Sequence, residues 1–219
     1  MSYKICLFDL DGTLTDPKLG ITKSVRYALN SFGIDVPDLG DLIKFIGPPL
    51  WESFEGFYGF SHADADLAVA KYREYFKDTG IYENALYPGV PEMLETLKNS
   101  GKVVTLATSK PTVFAARILE YFKIDACFSC VVGSELSGER SRKSEVIRCV
   151  LDNFPHIPSR EAVMIGDREH DITGAGEVGI DSIGVTYGYG SREELTAAGA
   201  TALTDTIGEL AGLILRGDV

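Results

Sequence analysis

Hydrophobic residues follow two patterns along this chain. The first is a short continuous run at residues 3–8, too short for a stable helix and without the alternation of a half-buried strand. Such runs are typical of strands that are buried on both faces of a parallel sheet. We therefore predict a buried strand here, with Asp9, Asp11 and Gly12 at its carboxyl end. The second pattern, apolar residues at helical spacing without any strand signal, fills residues 17–82.

The second pattern predicts an all-helical insert directly after the first strand. Proline cannot continue a helix, so Gly47-Pro48-Pro49 marks a rigid turn within the insert. The predicted helices cover residues 21–32, 41–45 and 61–77.

From residue 91 onward, apolar strands and amphipathic helices alternate. The predicted strands cover residues 103–107, 128–132, 162–165 and 182–185, the last taken as the final strand of the sheet. The predicted helices cover residues 91–99, 111–122, 144–153 and 171–178, and two more begin at the capping boxes Ser191/Glu194 and Thr206/Glu209. Repeated strand–helix units imply a parallel sheet with helices on both faces. We predict a doubly wound α/β core, residues 1–16 and 83–219, with a small helical domain, residues 17–82, inserted after the first strand.

Composition narrows the functional class. The 219 residues carry a formal net charge of -11, whereas nonspecific binding of nucleic acid needs a basic face, so we expect no nucleic-acid partner. No apolar stretch approaches the roughly 20 residues of a membrane-spanning helix. Acidic residues close to the N-terminus argue against a secretory signal. We expect a cytoplasmic protein without membrane contact, and its oligomeric state stays open.

Four cysteines are present, and Cys127 and Cys130 form a C-x-x-C pair. Neither a second pair nor a histidine at zinc-finger spacing accompanies them, which argues against a zinc site. We expect buried thiols that pack as small hydrophobic side chains.

Polar and charged side chains follow several predicted strands, where ligands bind in open α/β sheets. They are Asp9, Asp11, Thr108, Ser109, Asp167 and Asp171, and a cationic patch at residues 140–143 precedes the last two. Pro111 suits the first position of a helix, so we expect the hydroxyls of Thr108 and Ser109 to form an anion site with free helix amides.

Each of these features alone has a structural explanation, because a strand-end aspartate commonly caps a helix and a lone lysine is commonly solvated. The occurrence of all these features together favours a functional explanation. Several carboxylates at one sheet edge repel each other unless a divalent cation lies among them. Hydroxyls, a lysine and helix amides would then bind the dianion that this cation also contacts. The combination is typical of phosphoryl-transfer chemistry.

These residues resemble the ordered motifs of the haloacid dehalogenase superfamily. The motifs are Asp9-x-Asp11-Gly12-Thr13, Thr108, Lys143 and Gly166-Asp167-x-x-x-Asp171. The resemblance extends over the whole chain, because residues 17–82 are similar to the helical cap of that superfamily. Within the superfamily, the chain most resembles the phosphoglycolate phosphatase group and its 5'-nucleotidase-like branch. Many relatives have proline after the motif lysine, where this chain has Ser144. Arg142 therefore stays an alternative to Lys143.

The resemblance implies a Mg2+-dependent phosphatase that hydrolyses a small phosphomonoester through an aspartyl-phosphate. Asp9 is the implied nucleophile and Asp11 the implied acid–base. The implied Mg2+ ligands are Asp9, the Asp11 backbone carbonyl and Asp167. Asp171 would hold a metal-bound water or orient Lys143. The implied substrate contacts are Gly12, Thr108, Ser109 and Lys143, of which Thr108 and Lys143 are also implied catalytic residues that would stabilise charge on the transferring oxygens.

Several alternatives stay open. A phosphomutase of the β-phosphoglucomutase type shares the motifs and the helical cap, whereas a non-catalytic binding module would be expected to lose a catalytic position. A dehalogenase attacks carbon and does not need the acid Asp11. The G-x-G-x-x-G at residues 174–179 lies in a predicted helix, which favours close helix packing over a nucleotide cofactor.

The sequence leaves the roles of two further regions open. Residues 186–190 either border the site or form a flexible exit loop. The choice between phosphoglycolate and a nucleoside monophosphate would lie in the helical domain, where residues 47–50 and Arg73 are candidates.

Overall fold

A computed structural model describes residues 3–216 and confirms the doubly wound α/β fold. The strands are β1 (Ile5–Phe8), β2 (Thr15–Asp16), β3 (Ala85–Leu86), β4 (Val103–Pro111), β5 (Cys130–Ser134), β6 (Ala162–Gly166), β7 (Asp181–Val185) and β8 (Ala202–Thr204). Six of them form one sheet in the order β5-β4-β1-β6-β7-β8, with every neighbouring pair parallel.

The helices are α1 (Lys18–Ser31), α2 (Leu50–Tyr58), α3 (His62–Phe76), α4 (Val90–Asn99), α5 (Thr112–Tyr121), α6 (Lys143–Asp152), α7 (Glu169–Val178), α8 (Arg192–Ala197) and α9 (Ile207–Arg216). Both predicted capping residues are confirmed, because Ser191 Oγ and Thr206 Oγ1 accept hydrogen bonds from the backbone amides of Glu194 and Glu209. None of the helices within residues 3–216 is long and apolar enough to span a bilayer.

β1 lies at the centre of the sheet, between β4 and β6, and all of its side chains are buried. Ile5 and Leu7 belong to one apolar cluster with Ile147 of α6 and Ala175 of α7. Burial on both faces explains why the strand is continuously hydrophobic. Because β4, β1 and β6 run parallel, the residues that follow them come together at one edge of the sheet.

The chain divides into two compact units. One comprises the residues up to 15 and from 86 onward and contains the main sheet; the other, residues 16–85, is helical. In the helical unit, Phe45 and Phe60 both pack against Phe54, with ring centroids 5.1 and 5.8 Å apart. The boundaries predicted from the sequence differ from this division by a few residues.

Three elements differ from the sequence prediction. The prediction omits α2, although Leu50, Phe54 and Phe57 recur at helical spacing and the helix ends at Gly59, which has a positive φ of 66°. β8 is a further strand beyond β7, at the edge of the sheet, and its three residues are too few to give a pattern. β4 continues past Ala107 to Pro111 through a register shift.

This longer β4 corrects the predicted anion site. Pro111 precedes α5 as its N-cap and is not its first residue. Thr108 and Ser109 consequently lie on strand backbone, three or more residues ahead of the first residue of the helix.

The four thiols are free, but only Cys6 is fully buried. Burial raises the pKa of Cys6 to about 12. The expectation of burial is wrong for Cys127, Cys130 and Cys149, which are partly exposed. Cys127 ends a short 3-10 turn and Cys130 begins β5, a strand at the sheet edge, so neither position is covered on all sides.

Candidate active site

Three aspartates meet at the carboxyl edge of the sheet. Asp9 follows β1, Asp167 follows β6, and Asp171 lies in the first turn of α7. All three side chains are buried, and one carboxylate oxygen from each lies within 4.8 Å of the others. Pairing of Phe8 with Ile165 brings the ends of β1 and β6 side by side. The three predicted carboxylates therefore form one cluster.

Glycines make room for this cluster. A Cβ atom on Gly12 would lie 2.2 Å from Asp167 Oδ2, and a Cβ atom on Gly166 would lie 2.1 Å from Asp171 Cγ. Gly12 also has a positive φ of 87°, which disfavours any other residue. At these two positions the carboxylates occupy the space that a larger residue would need.

Lys143 bridges two of the three aspartates. It is the first residue of α6, and its Nζ lies 2.7 Å from Asp9 Oδ1 and 2.8 Å from Asp171 Oδ1. The Nζ also donates to the Ala107 carbonyl at 3.0 Å. Burial lowers the pKa of Lys143, but Asp171 and Asp9 raise it by more, so the amine stays charged. Arg142 is exposed at the N-cap of the helix, so Lys143 is the residue that reaches the carboxylates.

The charge of the cluster fits a divalent cation. Burial raises the pKa of Asp167 well above its usual range, and Asp171 and Asp9 raise it further. Burial likewise raises the pKa of Asp171, although Lys143 opposes the shift. Three buried carboxylates beside one ammonium group leave excess negative charge. Carboxylate oxygens are the ligands that Mg2+ prefers, and such an ion would favour the ionised forms of Asp167 and Asp171.

Asp11 has a different partner, Lys110. Lys110 Nζ lies 2.7 Å from Asp11 Oδ2, and the two side chains are only 6% and 10% exposed. Asp11 Oδ1 is buried and has no hydrogen-bond partner within residues 3–216. Burial raises the pKa of Asp11, and Lys110 only partly offsets this effect. A buried carboxyl group with a raised pKa and one unbonded oxygen is suited to hold and release a proton.

Lys110 is not among the site residues predicted from the sequence. Its position directly after Thr108-Ser109, at the end of a buried strand, is a signal that points to it. The side chain of Asp11 is thus engaged outside the three-carboxylate cluster. Its expected contribution to metal binding, through the backbone carbonyl, stays a prediction.

Thr108 and Ser109 lie at the end of β4, beside the end of β1. Thr108 is buried, and its hydroxyl accepts a hydrogen bond from the Lys110 amide at 3.3 Å. Ser109 is half-buried, and its carbonyl accepts from the Ser134 hydroxyl at 2.8 Å. Thr108 directly follows Ala107, whose carbonyl accepts from Lys143, and these hydrogen bonds stabilise the end of β4 that carries Lys110. The substrate contacts expected of Thr108, Ser109 and Gly12 stay predictions.

The loop at residues 186–190 borders the site. The backbone amide of Tyr189 donates to Asp167 Oδ2 at 2.8 Å, and the Tyr187 hydroxyl donates to the Thr13 carbonyl at 3.0 Å. Of the two readings that the sequence leaves open, the structure supports the bordering loop. These contacts depend on the path of the loop after β7, which no sequence pattern encodes.

Comparison with known proteins identifies the family. The profile of the haloacid dehalogenase-like hydrolases matches residues 6–185. A 5'-nucleotidase of Pseudomonas aeruginosa is 51% identical over 90% of this chain and 89% of its own length. The tyrosine-protein kinase PtkA of Mycobacterium tuberculosis is 38% identical over 95% of this chain and 72% of its own. A phosphoglycolate phosphatase of Vibrio parahaemolyticus is 28% identical over 94% of each chain.

A solved structure gives the same assignment. The crystal structure of a predicted phosphatase from Clostridium acetobutylicum superposes with a TM-score of 0.96 at 50% identity, covering 99% of this chain and 100% of that one. The fold, the ordered motifs and the relatives agree, and the chain belongs to the haloacid dehalogenase-like hydrolase family, within which it groups with the phosphatases.

Proposed function

We propose that this protein is a Mg2+-dependent phosphatase that hydrolyses a nucleoside 5'-monophosphate through an aspartyl-phosphate on Asp9. The observation that carries the proposal is the buried cluster of Asp9, Asp167 and Asp171 with Lys143 bonded across it. This arrangement holds a nucleophilic carboxylate next to a cation site. A proton-carrying group, Asp11, lies two residues further along the chain.

In the first step a carboxylate oxygen of Asp9 attacks phosphorus. The bond from phosphorus to Asp9 forms as the bond to the leaving oxygen breaks, and protonated Asp11 gives its proton to that oxygen. The raised pKa of Asp11, caused by burial, supports its protonation before this step. Bound Mg2+ would reduce the repulsion between the Asp9 carboxylate and the phosphate dianion. Lys143 stays charged and stabilises negative charge on the transferring oxygens.

In the second step water attacks the phosphorus of the aspartyl-phosphate. Asp11, now ionised, accepts a proton from this water. The bond between phosphorus and Asp9 breaks, which releases phosphate and restores both carboxyl groups. Asp11 thus serves first as acid and then as base. This requires a pKa that allows the group both to lose and to regain its proton in each catalytic cycle.

Sequence identity to the relatives favours a nucleotide substrate over phosphoglycolate. The 5'-nucleotidase shares 51% identity with this chain, whereas the phosphoglycolate phosphatase shares 28%. We propose that residues 16–85 select the leaving group. This helical unit contains a cavity of about 460 Å³ lined in part by Leu19, Tyr82 and Asn84, and pockets of roughly 300–1,000 Å³ are typical for small ligands.

The lining of this cavity suits a nucleobase. Leu19 and Tyr82 are large hydrophobic residues that stay 47% and 42% exposed, and they offer apolar surface to a planar ring. Asn84 Oδ1 is buried and has no hydrogen-bond partner within residues 3–216, so it is available to accept from a base N–H group. Asn84→Ala is expected to raise KM for a nucleotide while leaving KM for p-nitrophenyl phosphate unchanged. An equal change for both substrates would contradict this assignment of the cavity.

The direct test is a panel of phosphomonoesters assayed for released phosphate with Mg2+ and with EDTA. We expect nucleoside 5'-monophosphates to have the highest kcat/KM, with activity lost in EDTA. A higher kcat/KM for phosphoglycolate would overturn the substrate assignment alone. Isomerised sugar phosphate without phosphate release would favour the phosphomutase, and ATP-dependent tyrosine phosphorylation without hydrolysis would favour a kinase. Either result would overturn the proposed function.

A further inference from the structure

We propose that the loop at residues 186–190 is a positioning element that holds Asp167 in the orientation required to bind Mg2+, and that the Tyr187 hydroxyl is its key contact. The inference rests on the proposed Mg2+ dependence and adds residues that no motif contains. Carboxylates that bind metals are usually held by further hydrogen bonds, and loss of such a partner typically weakens metal binding.

Both oxygens of Asp167 have a protein donor. Oδ2 accepts from the Tyr189 backbone amide at 2.8 Å, and Oδ1 accepts from Thr13 Oγ1 at 3.3 Å. The first donor comes from the loop after β7 and the second from the turn after β1. Two donors on separate segments fix the plane of the carboxylate, and the second lone pair of each oxygen stays available for a cation.

Tyr187 joins these two segments. Its hydroxyl donates to the carbonyl of Thr13, the same residue whose side chain reaches Asp167. Its ring packs edge-on against Tyr87, with centroids 5.1 Å apart at 66°. The ring therefore anchors the loop, and the hydroxyl ties it to the turn that supplies the second donor. Replacement of Tyr187 by phenylalanine removes the hydroxyl and keeps the ring, so it tests the hydrogen bond separately from the ring packing.

Two glycines allow the loop to approach this closely. A Cβ atom on Gly188 would lie 2.4 Å from Asp167 Cβ and 2.4 Å from the Gly12 carbonyl oxygen, and one on Gly190 would lie 2.0 Å from the Asp167 carbonyl oxygen. Neither glycine has a positive φ, so space and not backbone conformation excludes a side chain here. The loop is thus built to touch Asp167 on its backbone and on its side chain.

The test is Mg2+ binding to the full chain, measured by isothermal titration calorimetry and independent of turnover. Tyr187→Phe keeps the ring packing and is expected to weaken Mg2+ binding by about tenfold, the lower end of such losses. Gly188→Ala is expected to weaken it further. Ile118→Val, a fully buried change in α5, provides the control for general destabilisation and should bind Mg2+ as the wild type does.

Each result decides a different point. Wild-type Mg2+ affinity in Tyr187→Phe would overturn the positioning role, and so would an equal loss in Ile118→Val, since that loss would be merely structural. A wild-type protein that binds no Mg2+ would overturn the proposed Mg2+ dependence itself. If Gly188→Ala does not fold, Tyr187→Phe still decides the question.

Discussion

Two buried lysines lie at the carboxyl edge of the sheet, and they differ in the number of carboxylates that each contacts. Lys143 Nζ donates hydrogen bonds to Asp9 Oδ1 and to the Ala107 carbonyl, and it lies 2.8 Å from Asp171 Oδ1 as an ion pair. Lys110 pairs with Asp11 Oδ2 and leaves Asp11 Oδ1 without a partner within residues 3–216.

This difference matches two separate tasks. The contacts with two carboxylates keep Lys143 charged, which holds a cation beside the predicted nucleophile Asp9. One lysine contact does not offset the burial of Asp11, so its pKa stays raised. The same two residue types therefore support different tasks, because Lys143 contacts two carboxylates and Lys110 is paired with Asp11.

The largest effect is expected for the nucleophile. Asp9→Asn keeps the shape of the side chain but removes the charge that bonds Lys143 and attacks phosphorus. We expect kcat/KM for p-nitrophenyl phosphate to fall by about 10⁴-fold or more, as for other nucleophile replacements. The assay is nitrophenolate release in saturating Mg2+, with circular dichroism to confirm folding. A rate close to wild type would contradict the nucleophile assignment.

A smaller loss is expected when the shared lysine is removed. Lys143→Met leaves Asp9 and Asp171 without their cation and removes one charge from the transition state, so kcat/KM should fall roughly 10²–10³-fold. Arg142→Met is the matched control, because this neighbouring cation is exposed. Steady-state kinetics of both variants, side by side, test the distinction. A larger loss in Arg142→Met would assign the role to the other cation.

The smallest loss is expected for the second lysine. Lys110→Met should reduce kcat by roughly 10–100-fold, since Lys110 acts through Asp11. Loss of the Lys110 ammonium group raises the pKa of Asp11 further, which keeps Asp11 protonated and impairs its action as the base in the second step. The pH at which kcat reaches half of its plateau should therefore move upward, measured beside the wild type with the same substrate. An unchanged pH profile would indicate that Lys110 does not act through Asp11.

The sequence predicts the carboxylate cluster well because short-range features encode it. Buried parallel strands are continuously apolar, and an aspartate directly after such a strand must lie at the sheet edge. Close helix packing in the G-x-G-x-x-G stretch is confirmed at Gly174, where a Cβ atom would lie 2.9 Å from Lys143 Cβ, whereas Gly176 and Gly179 have no atom within 4 Å of such a Cβ. Packing of α7 against α6 thus supports the position of the lysine.

Features that depend on chain path could not be predicted. Lys110, which contacts Asp11, lies within the register shift of β4, and Tyr189, which contacts Asp167, lies on the loop after β7. Arg73, a candidate for substrate binding, stacks on the Trp51 ring at 5.1 Å from its centroid. Such tertiary contacts between residues distant in sequence leave no periodic signal.

The decisive measurement for the two roles of Asp11 and for the aspartyl-phosphate is stopped-flow absorbance of Asp11→Asn with p-nitrophenyl phosphate. The good leaving group needs no proton, so phosphorylation of Asp9 should stay fast, whereas hydrolysis should slow roughly 10²–10⁴-fold without a base. We expect a burst of one nitrophenolate per enzyme molecule, followed by slow turnover, with the phosphoryl group detected on Asp9 by mass spectrometry. Steady turnover without a burst or a phosphorylated protein would contradict these assignments.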